Sequence, residues 1–241
     1  MAKKILCTVD GEVKSYLVDT AKDFHTKEGI IKKEDFNKKV IKTNKGIQFY
    51  CFDPTFIDLF NKIKRGAQIM LPKDIATIIA ESGLNNQSIV VDAGTGSGAL
   101  ASFLALHAKK VYTFDNRPEH LEVAKKTFEF LGVKNVVVKD QDVYEKKVAV
   151  KNADLVTLDL REPWRALPNV TSCLKKGGFL IAYNPQITQA QELVNVLEKN
   201  GLLLIKVVEN IQREWEIYGQ VVRPKFGRIA HTGFIVIARK I

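Results

Sequence analysis

The stretch Ser88-Ile-Val-Val-Asp-Ala-Gly-Thr-Gly-Ser-Gly-Ala-Leu100 decides the fold. It begins as a short apolar strand, turns through Gly94, Gly96 and Gly98, and continues in the helical pattern of residues 99–107. Glycine is favoured where the backbone turns sharply and comes close to a ligand, because it has no Cβ to clash. The free N–H groups at the start of the helix then face a polar or anionic ligand. A plain strand-to-helix turn does not need this many glycines, so the stretch predicts a ligand-binding loop.

The loop alone leaves two cofactors open. Gly94, Gly96 and Ala99 fit the dinucleotide fingerprint G-x-G-x-x-G/A. Asp115 lies about 20 residues further on, where an acid that binds ribose is expected. Asp92 precedes the first glycine, and its charge would repel a pyrophosphate but attract the sulfonium and ammonium groups of S-adenosylmethionine. The spacing G-x-G-x-G is also typical of class I methyltransferases, which this segment resembles. We therefore favour S-adenosylmethionine over NAD.

Composition and charge limit the class of protein. The chain has 241 residues, of which 46% are hydrophobic, enough for one large domain with a small appendage. Its 37 basic and 27 acidic residues give a charge of +10, which suits a polyanionic partner but also a lysine-rich surface. No apolar run approaches the roughly 20 residues of a membrane span, and the start lacks the apolar core of a signal peptide. The three cysteines are scattered without metal-type spacing. We expect a cytoplasmic protein without a structural metal.

Residues 1–62 differ in pattern from residues 63–241. Short β-branched and aromatic runs separated by glycine turns predict a small N-terminal β domain, for which a small barrel is one arrangement. Further on, strands and helices alternate as in a parallel sheet, which predicts an α/β, Rossmann-like methyltransferase domain. We predict strands at residues 89–92, 110–114, 135–138, 155–160 and 178–183, and helices at 72–81, 99–107, 118–130, 164–174 and 188–200. A final strand pair, with a loop at residues 222–228 and a last strand at 233–238, indicates a seven-stranded sheet with one antiparallel strand.

Acidic residues follow the predicted strands. In a doubly wound sheet, ligands bind outside the carboxyl ends of the strands, and four of these ends supply Asp92, Asp115, Asp142 and Asp159. A carboxylate accepts hydrogen bonds from ribose hydroxyls or from an adenine amino group. We expect Asp115 to bind the ribose and Asp142 the adenine amino group, with Asp140 as the alternative. A single acid at a strand end is as often a solvated turn or a helix cap, so the prediction depends on all four.

The segment Thr157-Leu-Asp-Leu-Arg-Glu-Pro-Trp164 is the second informative stretch. An acid at the end of a buried strand, followed by Pro-Trp at the start of a helix, would form a rigid floor beside the donor methyl group. An ordinary strand end explains Pro163 at a helix start but not the aromatic residue beside it. His120 lies near the start of the helix after Asp115, where it faces either the cofactor or solvent.

Together these segments resemble the tRNA (adenine-N1)-methyltransferases that modify the T-loop, particularly the archaeal type. The resemblance covers nearly the whole chain. It is carried by Tyr16-Leu-Val18, Phe24-His-Thr-Lys27, Arg65-Gly-Ala-Gln-Ile-Met-Leu-Pro-Lys-Asp74, the glycine loop, Leu158-Asp-Leu-Arg-Glu-Pro-Trp164, Tyr183-Asn-Pro-Gln-Ile-Thr-Gln189 and His231-Thr-Gly-Phe234. The Gln-x-x-x-Pro-Lys-Asp and Asp-Leu-x-x-Pro-Trp segments are specific in combination, whereas many methyltransferases share the glycine loop.

The resemblance implies methylation of N1 of adenine 58 in tRNA, and in archaeal members also of adenine 57, usually by a homotetramer. Carried over by position, it implies an active-site acid at Asp159 and cofactor contacts at Ser97, Gly98, Ala99, Leu100, Asp115, His120 and Asp142. To the cofactor contacts we add Asp92, Gly94, Gly96, Asp159 and Gln68. The family commonly has Pro where this chain has Arg161. An arginine there would either contact an RNA phosphate or indicate a shifted loop.

The expected chemistry needs alignment more than a strong base. Adenine N1 is a weak neutral nucleophile, and its lone pair attacks a methyl group held in line. Asp159 would accept a hydrogen bond from the N6 amino group and stabilise the positive charge that grows on the base. The adenine must first be flipped out of its loop. We expect Tyr183 and Trp164 to pack against it, with Gln68 and His231 at the mouth of the site, although core packing would explain these aromatics equally well.

Basic residues are expected to hold the tRNA through its phosphates. The predicted contacts are Arg223, Lys225, Arg228 and the basic N-terminal strands, for which a solvated surface is the alternative. Three other functions stay open. A class I methyltransferase for protein carboxylates or small molecules would not need the basic surface. A non-catalytic tRNA-binding subunit would not keep the glycine loop and Asp159 intact, and an NAD oxidoreductase is disfavoured by Asp92.

Overall fold

The computed structural model describes residues 3–8, 13–63, 69–226 and 231–241. The chain forms two compact units, Met1–Ile63 and Lys64–Ile241. Among the helices in the described ranges, none combines the length and the apolar character needed to cross a bilayer.

The N-terminal unit consists of short antiparallel strands followed by one helical turn. Its elements are β1 (Lys3–Thr8), β2 (Ser15–Asp19), β3 (Phe24–Thr26), β4 (Gly29–Ile31), a 3₁₀ turn (Lys33–Asn37), β5 (Val40–Lys42), β6 (Gln48–Phe52) and α1 (Phe56–Phe60). One sheet has the order β2-β1-β6-β5, and β3 pairs with β4 in a separate hairpin. The side chains of Leu6, Ile31 and Phe49 are fully buried in its core. The predicted β domain is confirmed, and in the described residues β2 and β5 are the edges of an open sheet rather than parts of a barrel.

The larger unit alternates strands and helices, as predicted. Its elements are α2 (Pro72–Ser82), β7 (Ile89–Ala93), α3 (Ala99–His107), β8 (Lys110–Asp115), α4 (Pro118–Leu131), β9 (Val136–Asp140), β10 (Ala153–Leu158), α5 (Pro163–Val170), β11 (Leu174–Asn184), α6 (Ile187–Val194), β12 (Leu202–Glu209), β13 (Trp215–Tyr218), β14 (Val221–Pro224) and β15 (Phe234–Lys240), with 3₁₀ turns at Thr171–Cys173 and Glu198–Asn200.

Seven strands form one sheet in the order β12-β15-β11-β10-β7-β8-β9. The strands from β9 to β11 pair in parallel, whereas β15 is antiparallel to both β11 and β12. This confirms the predicted seven-stranded sheet with one antiparallel strand. The chain proceeds outward from β7 to β9 and then returns to the other side of β7 as β10. The loops that follow β7 and β10 therefore diverge at a switch point, where open α/β sheets bind ligands.

Several predicted boundaries differ from the structure; the strand predicted at 178–183, for example, begins at Leu174. The strand predicted at 155–160 ends at Leu158, so Asp159 begins the following loop. The helices predicted at 164–174 and 188–200 end at Val170 and Val194. The interior residue Pro168 has no N–H for the carbonyl of Trp164, which weakens α5, and the chain passes into a 3₁₀ turn at Thr171–Cys173. The loop predicted at 222–228 begins within a hairpin of β13 and β14, whose tight turn contains a glycine with positive φ.

Candidate active site

Two glycines of the loop lie against neighbouring protein atoms and not beside open space. Gly94 has φ +98°, and a Cβ there would lie 2.1 Å from the carbonyl oxygen of Asp159. Gly98, with φ +78°, would place a Cβ 2.9 Å from the ring of Phe128 in α4. Side chains at these two positions are therefore excluded by neighbouring protein atoms, whereas the sequence analysis attributed all three glycines to the approach of a ligand.

Two adjoining cavities lie at the carboxyl edge of the sheet, with volumes of about 210 and 230 Å³. Gly94, Arg117 and Asp159 line both of them. The first is lined mainly by the ends of β8 and β9 and the second mainly by the glycine loop. Of the predicted contacts, the first cavity has Asp115 and Asp142, and the second has Gly96, Ser97, Ala99, Leu100 and His120.

Asp115 ends β8 and is held by four protein donors. Its Oδ2 accepts from the Gly96 N–H at 3.0 Å and lies 3.1 Å from Nδ1 of His120. Its Oδ1 accepts from the N–H of Arg117 at 3.1 Å and from Arg117 Nε at 3.3 Å. Burial opposes ionisation, but these hydrogen bonds outweigh it, so the pKa of Asp115 lies below its ordinary value. Asp115 is therefore a fixed carboxylate in the wall of the first cavity.

Asp142, rather than Asp140, lines the first cavity. Its Oδ2 accepts from Asn116 Nδ2 at 2.6 Å, and its Oδ1 accepts from the Tyr144 N–H at 2.8 Å. Asp140 is exposed and is not among the lining residues. Val143, next to Asp142, is 4% exposed and forms apolar wall. This geometry favours Asp142 for an amino group placed in the first cavity.

Asp92 lies within β7 and lines neither cavity. It is 1% exposed, and its carboxylate accepts hydrogen bonds from the hydroxyls of Thr113 and Thr157, both at 2.7 Å. Burial raises the pKa of Asp92 to about 6, although the two hydroxyls oppose the shift. The expected direct contact of Asp92 with the cofactor is thus replaced in the structure by contacts with two threonines.

Asp159 is the acid that both cavities share. Its backbone N–H donates to the carbonyl of Ala93 at 2.9 Å, which holds it against the glycine loop. Within the described part of the chain, its carboxylate makes no side-chain hydrogen bond. Burial, and then the negative charge of Asp92, raise the pKa of Asp159 to about 7. Asp159 is partly exposed and lines both cavities, so it is available to a ligand, and it titrates near neutral pH.

Tyr183 ends a buried hydrogen-bond network that begins in α2. Asp74 is fully buried, and its carboxylate accepts from Lys73 Nζ at 2.9 Å and from the Thr232 hydroxyl at 2.8 Å. The phenol of Tyr183 donates to the carbonyl of Thr232 at 2.6 Å. Burial raises the pKa of Tyr183 to about 12, and the charges of Asp74 and Asp159 add to the shift. The Pro-Lys-Asp motif thus fixes a phenol that lies within electrostatic range of Asp159.

The other predicted substrate contacts are more dispersed. Trp164 is half-buried and packs on the core. His231 is exposed, with Nδ1 2.6 Å from Glu209 Oε1 and Nε2 3.1 Å from the Pro185 carbonyl oxygen. The Glu209 carboxylate, and then the Pro185 carbonyl, raise the pKa of His231 above its ordinary value. None of these residues lines either cavity.

The predicted phosphate contacts lie outside both cavities or outside the described ranges. Arg223 is on the hairpin, where its Nε donates to Glu216 at 3.0 Å and its guanidinium lies 5.5 Å from the Phe226 ring. Gln68 and Arg228 lie outside the described residues. In the N-terminal unit, several lysines already form ion pairs with acids: Lys4, Lys14, Lys32 and Lys38.

Several cavity residues were missed by the sequence analysis, among them Asn116, Arg117, Tyr144 and Met70. Asn116 and Arg117 follow Asp115 directly, and Tyr144 follows Asp142 by two positions. The rule that ligands lie beyond the strand ends, extended by two residues, would have included these three. Met70 of the second cavity precedes α2, and no local signal distinguishes it from a core residue. Across the described ranges, no group of three or more His, Cys, Asp or Glu side chains is placed to hold a metal ion.

The chain resembles known proteins both in sequence and in fold. Residues 49–231 match the family described as tRNA methyltransferase complex GCD14 subunit. The chain is 37% identical to the tRNA (adenine(57)-N(1)/adenine(58)-N(1))-methyltransferase TrmI of Methanocaldococcus jannaschii, over 96% of this chain and 93% of that protein. It is 36% identical to the tRNA (adenine(58)-N(1))-methyltransferase TrmI of Thermus thermophilus, over 83% and 80%.

Two solved structures share the fold over nearly the whole chain. An SAM-dependent O-methyltransferase from Thermotoga maritima has a TM-score of 0.90 and 29% identity, covering 100% of this chain and 93% of that one. The tRNA (m1A58) methyltransferase TrmI from Aquifex aeolicus has a TM-score of 0.83 and 26% identity, with coverages of 98% and 96%. The first cavity therefore lies in a methyltransferase fold.

Proposed function

The chain belongs to the tRNA methyltransferase family of the GCD14 subunit, and we propose that it transfers a methyl group from S-adenosylmethionine to N1 of adenine in the T-loop of tRNA. We propose adenine 58 as the target and adenine 57 as a second one, because the archaeal relative, named for both positions, matches 96% of this chain. The observation that carries the proposal is Asp159. The residue is partly exposed beside the glycine loop and lines both cavities, and its carboxylate is not engaged by another described side chain.

The residues of the two cavities fit S-adenosylmethionine. In the first cavity, Asp115 would accept hydrogen bonds from the ribose hydroxyls, and Asp142 would accept one from the adenine amino group. In the second, the glycine loop and His120 would surround the methionine part. When bound, S-adenosylmethionine supplies an electrophilic methyl group on a positively charged sulfur. The carboxylates of Asp115 and Asp142 at this edge make the site negative, and a negative site attracts the positively charged sulfur.

Asp159 would act on the target base in its ionised form. It accepts a hydrogen bond from the N6 amino group, which orients the ring, and it stabilises the positive charge that develops when N1 gains the methyl group. The proton is then lost from N6 of the cationic product, for which no strong base is needed. Because the pKa of Asp159 is about 7, the fraction of active enzyme rises with pH through neutrality.

The Thermotoga structure with the O-methyltransferase name suggests a second candidate function. Methylation of a hydroxyl needs a base to remove its proton, and a carboxylate with a pKa near 7 is suited to that role. The two candidates differ in product: an N1-methylated adenine in one, and an O-methylated substrate in the other. The family match and the two tRNA-methylating relatives favour the first.

The decisive experiment is nucleoside analysis of a tRNA substrate. Unmodified tRNA transcript is incubated with the protein and S-adenosylmethionine, digested, and analysed by mass spectrometry, with T-loop fragments to locate the methyl group. We expect N1-methyladenosine at position 58 and, in a second fraction, at 57. Asp159→Ala should remove the product while S-adenosylmethionine binding stays measurable by calorimetry. Methyl groups found only on ribose, on protein or on small molecules would overturn the proposal.

We also propose a homo-oligomer, with four copies as the family resemblance implies. In support, β12 is an edge strand of the sheet, yet Leu203, Ile205 and Val207 are exposed on it. The hairpin adds exposed Trp215 and Ile217. Apolar edge strands favour association, and a closed assembly would cover them. Light scattering should give a mass of four chains, and a mass of one chain would refute this. The tRNA substrate supports the cytoplasmic location that the sequence predicts.

A further inference from the structure

A groove of about 540 Å³ lies on one face of the sheet beside the cofactor cavities. It exists because the connection from β9 to β10 contains no helix in residues 141–152, all of which the structure describes. Helices normally cover both faces of such a sheet. Here a loop that carries Val150 and Lys151 covers this face only in part. The groove shares the lining residues Phe114 and Gln141 with the first cavity, so the two lie next to each other.

The floor of the groove is apolar and aromatic. Side chains alternate along a strand, so Lys110, Tyr112 and Phe114 share one face of β8. Ile89 is the neighbour of Lys110 in β7. Tyr112 and Phe114 line the groove with Ile89. Tyr112 is only half-buried, so part of its ring is available to a planar or apolar ligand group.

The rim of the groove is positively charged. Lys139 of β9, the neighbour of Phe114, and Lys151 from the loop both line it. Lys110 Nζ lies 5.3 Å from the centre of the Tyr112 ring. The acid near the start of the groove, Asp154, is already engaged, because it accepts the Ile89 N–H at 2.7 Å and pairs with Lys175. No acid is among the lining residues.

We propose that this groove binds a single-stranded segment of the tRNA, away from the adenine that is methylated. Lys139 and Lys151 contact two phosphates, and the sugar or base between them rests on Tyr112 and Ile89. Lysines over an aromatic floor are the combination by which proteins hold single-stranded nucleic acid without reading its sequence. The inference depends on the proposed function, since it takes tRNA as the substrate. It adds a binding surface distinct from Asp159 and from Arg223 of the hairpin.

The test is Lys139→Gln/Lys151→Gln in the full-length chain. Affinity for unmodified tRNA transcript is measured by fluorescence anisotropy over a series of salt concentrations. Steady-state methylation and calorimetry with S-adenosylmethionine accompany it. The matched control is Lys125→Gln/Lys126→Gln in α4. That helix lies on the other face of β8, where Asp115 contacts His120, and its lysines carry the same charge change.

Loss of two phosphate contacts to a single strand should lower the slope of log affinity against log salt by about 1.4 in magnitude. At 0.1 M salt this corresponds to roughly 25-fold weaker tRNA binding, seen as a higher KM with unchanged kcat. The affinity for S-adenosylmethionine and the α4 control should stay at wild-type values.

Several results would overturn the inference. One is an unchanged, wild-type affinity for tRNA in the groove variant. Another is an equal loss of tRNA affinity in the α4 control. A third is weaker binding of ATP, titrated alone, with unchanged binding of tRNA, because the groove would then be a free-nucleotide site. The proposed function fails separately, if wild-type protein places no methyl group on tRNA.

Discussion

Asp159→Asn is expected to stabilise the protein while it removes methyl transfer, because the wild-type site keeps an ionisable group where water is scarce. Burial and the charge of Asp92 raise the pKa of Asp159 from 3.8 to about 7. A carboxyl group with a raised pKa costs stability in its ionised form, and asparagine cannot ionise. Its amide has nearly the same shape, so packing against Gly94 is preserved.

The size of the effect follows from the pKa. The difference between 3.8 and about 7 corresponds to a cost of ~4 kcal/mol above pH 7, at ~1.4 kcal/mol per pH unit. Because part of the Asp159 surface is still reached by water, we take about half of this, ~2 kcal/mol. For a domain of this size that is a rise in Tm of roughly 4–8 °C.

The sign of the pH dependence is fixed as well. The wild-type protein loses stability as pH rises from about 4 to about 7, since unfolding lets Asp159 ionise freely. The gain from Asp159→Asn should therefore grow between these limits and stay constant above them. Thermal unfolding is followed at pH 5, 6, 7 and 8, with Asp140→Asn, an exposed acid at the same edge, as the control.

The same ionisation should appear in the kinetics. Wild-type kcat/KM reports the free enzyme, so it should fall about tenfold per pH unit below pH 7. If Asp159→Asn gives no gain in Tm at pH 8, or the same gain at pH 5 and pH 8, the ionised Asp159 carboxylate does not cost stability and the reasoning is refuted. A flat kcat/KM profile from pH 5.5 to 8 would refute the need for the carboxylate.

Two further substitutions test the geometry of the site. Gly94→Ala should abolish S-adenosylmethionine binding in calorimetry or prevent folding, because its Cβ would meet the Asp159 carbonyl at 2.1 Å. The control is Gly83→Ala, where φ is +61° and no atom lies within 4 Å of the added Cβ; it should lower the free energy of unfolding by only about 1–2 kcal/mol. If both variants behave alike, the contact between the Gly94 Cβ and the Asp159 carbonyl is not the cause. Asp115→Ala should weaken S-adenosylmethionine by about 10- to 100-fold, and unchanged affinity would refute the ribose assignment.

Local sequence patterns predicted most of the fold. An apolar run, a glycine turn and a helical period lie within a dozen residues of one another, so the strand, loop and helix around Gly94 were predictable without tertiary information. The acids at the strand ends followed from topology, because parallel strands deliver their carboxyl ends to one edge. The hairpin of β13 and β14 was missed because its strands are only four residues long and lack a buried face.

Contacts between distant segments could not be predicted. Asp92 and Thr157 are 65 residues apart in sequence, and only the parallel register of β7 and β10 brings them together. Without that register, the charge of Asp92 was assigned to the cofactor instead of to two hydroxyls. Lys73 and Thr232 are 159 residues apart. The Pro-Lys-Asp motif was recognised, but its role in fixing Tyr183 required the fold.

The backbone, rather than the side chain, sets the position of the proposed catalytic acid. The Asp159 N–H bonds the Ala93 carbonyl, and the Asp159 carbonyl fills the space that a Cβ of Gly94 would occupy. The loop that would hold the methyl donor and the loop that carries the acid therefore form one rigid contact. A substitution of the acid should then change ionisation and leave this geometry intact, whereas a substitution of Gly94 should separate the loops while the acid is still present. Loss of activity with S-adenosylmethionine affinity preserved in the first case, and lost in the second, is the pattern that this arrangement requires.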